Sequence, residues 1–106
     1  MRNVKVNSTD GGGVATGTTN DPWERYVREL GVRLQRLRVE KGLSQERLAV
    51  AADISSFTYR KLEKGESNPG TPANPRLKTL VALAEVLEID LSGLLPGELP
   101  SIAIGR

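Results

Sequence analysis

Between Gly42 and Gly65 the chain sets Ser56, Phe57, Arg60, Lys61 and Lys64 along one short segment, after two serines, Ser44 and Ser55, that can each cap a helix. Hydroxyls, cations and a single aromatic ring are groups that pair with phosphates, base edges and base methyls. They do not make a nucleophile with its base. The chain has no cysteine and no histidine, which removes disulfides, thiol chemistry, the usual zinc ligands and imidazole bases together. What remains is the layout of two short helices hinged by a tight turn, the second presenting polar and basic side chains to the major groove of a duplex.

The elements that position these side chains follow from caps and spacing. Ser44 caps a helix starting near Gln45, and Leu48, Ala49 and Ala52 form its apolar stripe. Asp53 interrupts that helix, aspartate being one of the few non-glycine residues that accept a left-handed backbone. Ser55, after Ile54, caps a second helix from about Ser56, with Tyr59 and Leu62 on one face and Gly65 as its stop. Upstream, Asp21, Pro22 and Glu24 read as the cap, first position and capping box of a long helix with Tyr26, Leu30, Leu34 and Leu37, ending near Gly42. From Glu66 to Pro75, three prolines and their glycine and asparagine neighbours predict a loop without regular structure. A helix resumes from Arg76 to Leu87, apolar enough to be largely enclosed. Asp90 or Ser92 caps a last short helix with Leu91, Leu94 and Leu95, ended by Pro96 and Gly97. Ser101 to Ile104 alternates apolar residues, as a short strand or a docking tail does.

From about Leu30 to Leu95 the sequence resembles the helix-turn-helix of the Cro and lambda-repressor-like, or XRE, family. The matching residues are Gln45, Leu48 and Ala49, Ile54, Leu62 and Glu63, Gly65, Asn68 and Pro69, Leu80, Ala82 to Ala84, Leu87 and Leu91 to Leu95. It departs from that pattern at Asp53, where glycine is usual, at Tyr59, where an aliphatic residue is usual, and in a lengthened loop from Gly70 to Pro75. Tyrosine can fill a core while its hydroxyl stays at the edge. The resemblance implies an all-α, five-helix bundle that binds double-stranded DNA. It implies that Ser55, Ser56 and Phe57 lie nearest the base edges, with Lys61 one turn on and Arg60 on the flank. Gln45 is then a phosphate contact at a helix amino terminus, joined by Lys64, Ser67, Asn68 and Thr71. Arg38 and Glu63 correspond to a pair that bridges the first and third helices, so Arg38 reads as mainly structural, with a secondary phosphate role.

Composition agrees with a small regulator. The 106 residues, 38% hydrophobic and only 4% aromatic, suit one compact bundle filled by Leu, Val and Ala. The net charge of +2 is uninformative in total but uneven in place. From Glu24 to Lys64 ten basic residues stand against six acidic ones, and beyond Lys64 acids outnumber bases, so the amino-terminal half is the side for phosphates. The expected organisation is a flexible tail over 1–20, with Arg2 and Lys5 able to touch DNA, a DNA-binding domain over 21–96 and an extension over 97–106. Neither a second, effector-binding domain nor a signal sequence or membrane span is expected, which points to the cytoplasm, and no cofactor or metal is called for. A monomer of this size reads too few base pairs for specificity, so a homodimer on a near-palindromic site is expected. Its contact is placed over Ile89 to Leu95 with Ile102 and Ile104, residues that otherwise cover their own bundle. The main reading is a transcriptional regulator, a repressor by operator occupancy. The rival reading is a protein-interaction module such as the antitoxin of a toxin pair, and an enzyme is the remotest alternative.

Overall fold

The computed structural model describes residues 21–105. The expected tail with Arg2 and Lys5, and Arg106, lie outside the described residues. Five helices run in order: α1 (Pro22–Glu40), α2 (Gln45–Ala51), α3 (Ser56–Lys64), α4 (Leu77–Leu87) and α5 (Leu91–Leu94). Three of the expected caps act as their residue types require, whereas Asp90, at the cap position of α5, makes no side-chain cap bond. Asp21, Ser44 and Ser55 accept from the backbone N–H of Trp23, Arg47 and Thr58 at about 3.0 Å each. Glu24 forms an ion pair with Arg28 at 3.2 Å, one turn along α1.

Asp53 turns the chain between α2 and α3 at φ 62°, with its N–H on Val50 O and that of Ile54 on Ala49 O, a left-handed helix stop without glycine. Glu88 ends α4 in the same way at φ 60°. Nothing local to Glu88 foretells this, because glutamate has no special tolerance for that backbone region.

The core gathers Val27, Leu30 and Leu34 of α1, Leu48 and Ala49 of α2, Tyr59 and Leu62 of α3, Leu83, Ala84 and Leu87 of α4, and Leu94 of α5. Alpha1 and α3 touch most closely at Gly31. A Cβ built there falls 2.3 Å from the Glu63 carbonyl oxygen and 2.8 Å from that of Leu62. Only a residue without a side chain lets the two backbones approach this far.

Three expectations are corrected. The segment after α3 is not irregular: β1 (Glu66–Asn68) and β2 (Thr71–Pro72) pair antiparallel across a bulge. Pro69 followed by Gly70 at φ 81° suits a type II turn, and a two-stranded ribbon is all edge, where Pro72 is tolerated. This hairpin is pinned to the bundle by Ala73 N–H on Gly65 O at 2.8 Å and by Trp23 Nε1–H on Ala73 O at 2.9 Å. Second, α4 is not enclosed all round. Leu77 and Val81, four residues apart, are 65% and 48% exposed, because the bundle covers only the face of Leu83, Ala84 and Leu87. Third, of the two readings of residues 101–104, a short strand or a docking tail, the strand does not form, and Ile102 and Ile104 are exposed. At the carboxyl-terminal end Leu94 is fully buried in its own bundle, whereas Ile89, Leu91 and Leu95 are only partly covered.

Gly31→Ala is expected to lower the unfolding free energy by about 2–3 kcal/mol in urea denaturation, since the α1–α3 contact must open to admit the methyl. Gly93→Ala serves as the control. Its nearest neighbour is Ile89 Cβ at 3.8 Å, so it is expected to leave stability unchanged or raise it by about 0.5 kcal/mol.

Candidate nucleic-acid interface

On α3 the buried face carries Tyr59 and Leu62, and the other faces carry the polar residues. What fixes the direction of this helix is the Glu63 carboxylate, whose side chain is only 7% exposed. Arg38 of α1 donates Nε–H to its Oε2 at 2.6 Å, the Tyr59 hydroxyl donates to the same oxygen at 2.6 Å, and Gln45 of α2 donates Nε2–H to Oε1 at 2.9 Å. Arg38 also donates to the Leu43 carbonyl at 2.9 Å, tying the α1–α2 turn into the same cluster.

Burial disfavours ionisation of Glu63, but the hydrogen bonds from Arg38, Tyr59 and Gln45, with the Arg38 charge, outweigh it and hold the carboxyl below its ordinary value of 4.5. Burial, and then the bond to Glu63, push the Tyr59 hydroxyl far up, so it stays a donor. The hydrogen bond to Glu63 raises Arg38, against its own burial. The Tyr59 hydroxyl therefore does not sit at an edge: the residue is wholly buried and the oxygen is satisfied inside.

The residues expected to meet DNA are distributed as follows. Phe57, Arg60 and Lys64 are exposed, and Ser56 and Lys61 are half-buried. Lys61 Nζ lies 4.4 Å from the centre of the Phe57 ring. Arg60 pairs with Glu46 of α2 at 3.1 Å. Ser55 is occupied as a cap, its own hydroxyl donating to Thr58 Oγ1 at 2.9 Å. Ser55, Lys61 and Ser67 come together on one groove of about 450 Å³ between α3, the hairpin and the start of α4. Ser67 Oγ–H is directed at the Pro72 carbonyl at 3.4 Å, whereas Asn68 and Thr71 are exposed. Gln45 has one amide N–H bound by Glu63, and its backbone N–H lies in the first turn of α2, where no intrahelical acceptor exists.

Sequence reasoning missed three of these contacts. The Tyr59 to Glu63 bond was available from their i, i+4 spacing on one helix. The Gln45 to Glu63 and Arg60 to Glu46 contacts depend on how α2 crosses α3, which no local pattern reports. Arg33 was also missed as a structural residue. It donates to the carbonyls of Gly93 at 2.6 Å and Leu94 at 3.2 Å, fastening α5 to α1.

A bundle whose second and third helices form a hinged pair, with one polar face turned outward, is that of a helix-turn-helix protein. Residues 29–94 match the family model described as a helix-turn-helix domain, and the chain belongs to that family, as an XRE or lambda-repressor-like helix-turn-helix regulator. It is similar to the SPbeta prophage-derived uncharacterized HTH-type transcriptional regulator YonR of Bacillus subtilis (strain 168), with 39% identity over 67 residues, covering 63% of this chain and 56% of that protein. The chain thus spans little more than half the length of that curated relative. Among solved structures it resembles the restriction-modification controller protein C.AhdI from Aeromonas hydrophila, with 32% identity, a TM-score of 0.58, and coverage of 65% of this chain and 96% of that one. It also resembles SinR, the master regulator for biofilm formation, solved in complex with DNA, with 28% identity, a TM-score of 0.53, and coverage of 61% and 95%. A SinR/SinI protein complex matches at 27% identity and a TM-score of 0.53, covering 62% of this chain and 59% of that one. No helix among the described residues is long and apolar enough to cross a membrane.

The Glu63 cluster makes stability sensitive to sequence and to acid. Arg38→Ala leaves the carboxylate without its cation and is expected to cost about 3 kcal/mol, while Tyr59→Phe, which removes one donor of three, costs about 1 kcal/mol in urea titration. Because the Glu63 pKa is lower folded than unfolded, the unfolded chain takes up the proton first as pH falls. Its contribution is therefore whole above the ordinary value of 4.5 and is lost as the pH drops through the folded value. Glu63→Gln is expected to be less stable at neutral pH and to show a shallower acid limb in urea midpoints measured from pH about 7 to about 3.

Proposed function

We propose that the chain is a sequence-specific DNA-binding regulator of transcription, a cytoplasmic repressor that occupies a near-palindromic operator as a dimer. Residues 21–96 are its reading domain and 97–106 an extension. One observation carries this reading: α3 is locked from behind by Tyr59, Leu62 and Glu63, and Phe57, Thr58, Arg60 and Lys64 stand exposed on its remaining surface. In this reading the amino-terminal end of α3 enters the major groove. Ser56, Phe57 and Lys61 meet base edges, Arg60 flanks them, and Gln45, Lys64, Ser67, Asn68 and the backbone around Ser55 meet phosphates. Gln45 acts through its backbone N–H and the amide atoms that Glu63 leaves available.

Two copies place two such helices about one duplex turn apart. Ile89, Leu91 and Leu95 are partly covered, and Leu99, Ile102 and Ile104 are 73%, 60% and 101% exposed, so this end offers the apolar surface for a second copy. The same exposed tail supports the alternative of a protein-interaction module, such as an antitoxin, in which another protein takes that surface.

Selection of bound duplexes from a random pool is expected to recover an inverted repeat. On that duplex Lys61→Ala is expected to lower affinity by about tenfold and relax one position, whereas Lys64→Ala weakens operator and random DNA alike and reduces the salt slope by about 1. Equal losses on both duplexes for both variants would overturn this assignment. A chain truncated after Leu95 is expected to shift from dimer to monomer in gel filtration with light scattering. An unchanged dimer would remove the tail from the contact.

A further inference from the structure

Phe57 and Lys61 stand one turn apart on the outward side of α3, with the ammonium 4.4 Å above the ring centre. The ring is 62% exposed, so it is not part of the core. Among the described residues Lys61 forms no ion pair, while its neighbour Arg60 is drawn toward α2 by Glu46. The ring is thus what restrains the Lys61 side chain, an attraction between cation and aromatic face that narrows the rotamers of an otherwise mobile chain.

We propose that Phe57 is a positioning residue for Lys61: held against the ring, the Lys61 ammonium reads a guanine, while the ring itself reads a thymine of the same half-site. This rests on the DNA-reading function above. One face of the ring holds the ammonium, and the other is left as an apolar surface, which in the major groove fits the C5-methyl of thymine. With the ammonium against one face of the ring and the methyl against the other, the two contacts fall on different base pairs in the major groove. Of the bases, guanine presents two acceptors there, N7 and O6, to a group that only donates, whereas adenine opposes it with an amino donor. A lysine swinging freely would reach several positions and phosphates with little preference. Held on the ring, it discriminates.

The test uses the full chain and the half-site recovered by selection. Fluorescence anisotropy is measured on that duplex, on one with the thymine replaced by deoxyuridine, which lacks only the methyl, and on one with the guanine replaced by 7-deazaguanine, which lacks only N7. Each replacement is expected to weaken the unmutated protein by about five- to tenfold. In Phe57→Leu, which touches no guanine, the 7-deazaguanine penalty is expected to fall to less than about twofold, and in Phe57→Trp it is expected to be retained, since indole holds a cation at least as well. Melting temperatures of both variants are expected to match the parent because the ring is exposed. A full 7-deazaguanine penalty in Phe57→Leu, or a recovered half-site that lacks either a thymine or a guanine, would overturn this proposal while leaving DNA reading intact. Failure to recover any preferred duplex would overturn both.

Discussion

The carboxylate of Glu63 sits where three helices meet, and it is supplied with donors by all of them: Arg38 from α1, Gln45 from α2 and Tyr59 from α3 itself. A charge with so little water around it is tolerated only when its lone pairs are met, so the cluster forms as a set or leaves a costly remainder. That requirement ties the crossing of α2 over α3 to the position of α1. Gly31 makes it attainable, because its missing side chain lets α1 lie against the Glu63 and Leu62 carbonyls and brings Arg38 within reach. The packing of α1 on α3, with α2 joined to the same carboxylate, thus draws on one ionised group and one absent methyl.

The visible ion pairs differ greatly in weight. Arg38 with Glu63 is screened from solvent, whereas Arg60 with Glu46 and Lys41 with Glu88 lie in water, where such pairs contribute little. Their use is directional. Arg60 leans toward α2 and leaves the centre of α3 to Lys61. Arg33 acts differently again: its guanidinium donates to the terminal carbonyls of a helix only four residues long, which supplies a partner for groups that the short helix cannot bond internally.

Whatever depends on one or two adjacent residues was legible in the sequence. The serine and aspartate caps, the left-handed Asp53 and the apolar stripes of α1, α2 and α3 are local devices, and the family resemblance added the Arg38 to Glu63 bridge and the choice of outward residues on α3. What depends on distant partners was not. Gly31 draws no attention in the sequence until α3 is seen against it, and Gln45 reads as a phosphate contact until Glu63 is found beside it. Alpha4 was overestimated because its composition is apolar on average, while Leu77 and Val81 occupy a face that no other element covers. The hairpin was missed for the opposite reason. Its prolines argue against a ladder, yet one short enough to be all edge accommodates them.

The two sides of α3 share no residues. Tyr59, Leu62 and Glu63 belong to the scaffold, and Ser56, Phe57, Arg60, Lys61 and Lys64 contribute nothing to the core. Substitutions among these residues therefore leave the buried core untouched, so the surface that α3 presents can change its chemistry while the bundle behind it stays still.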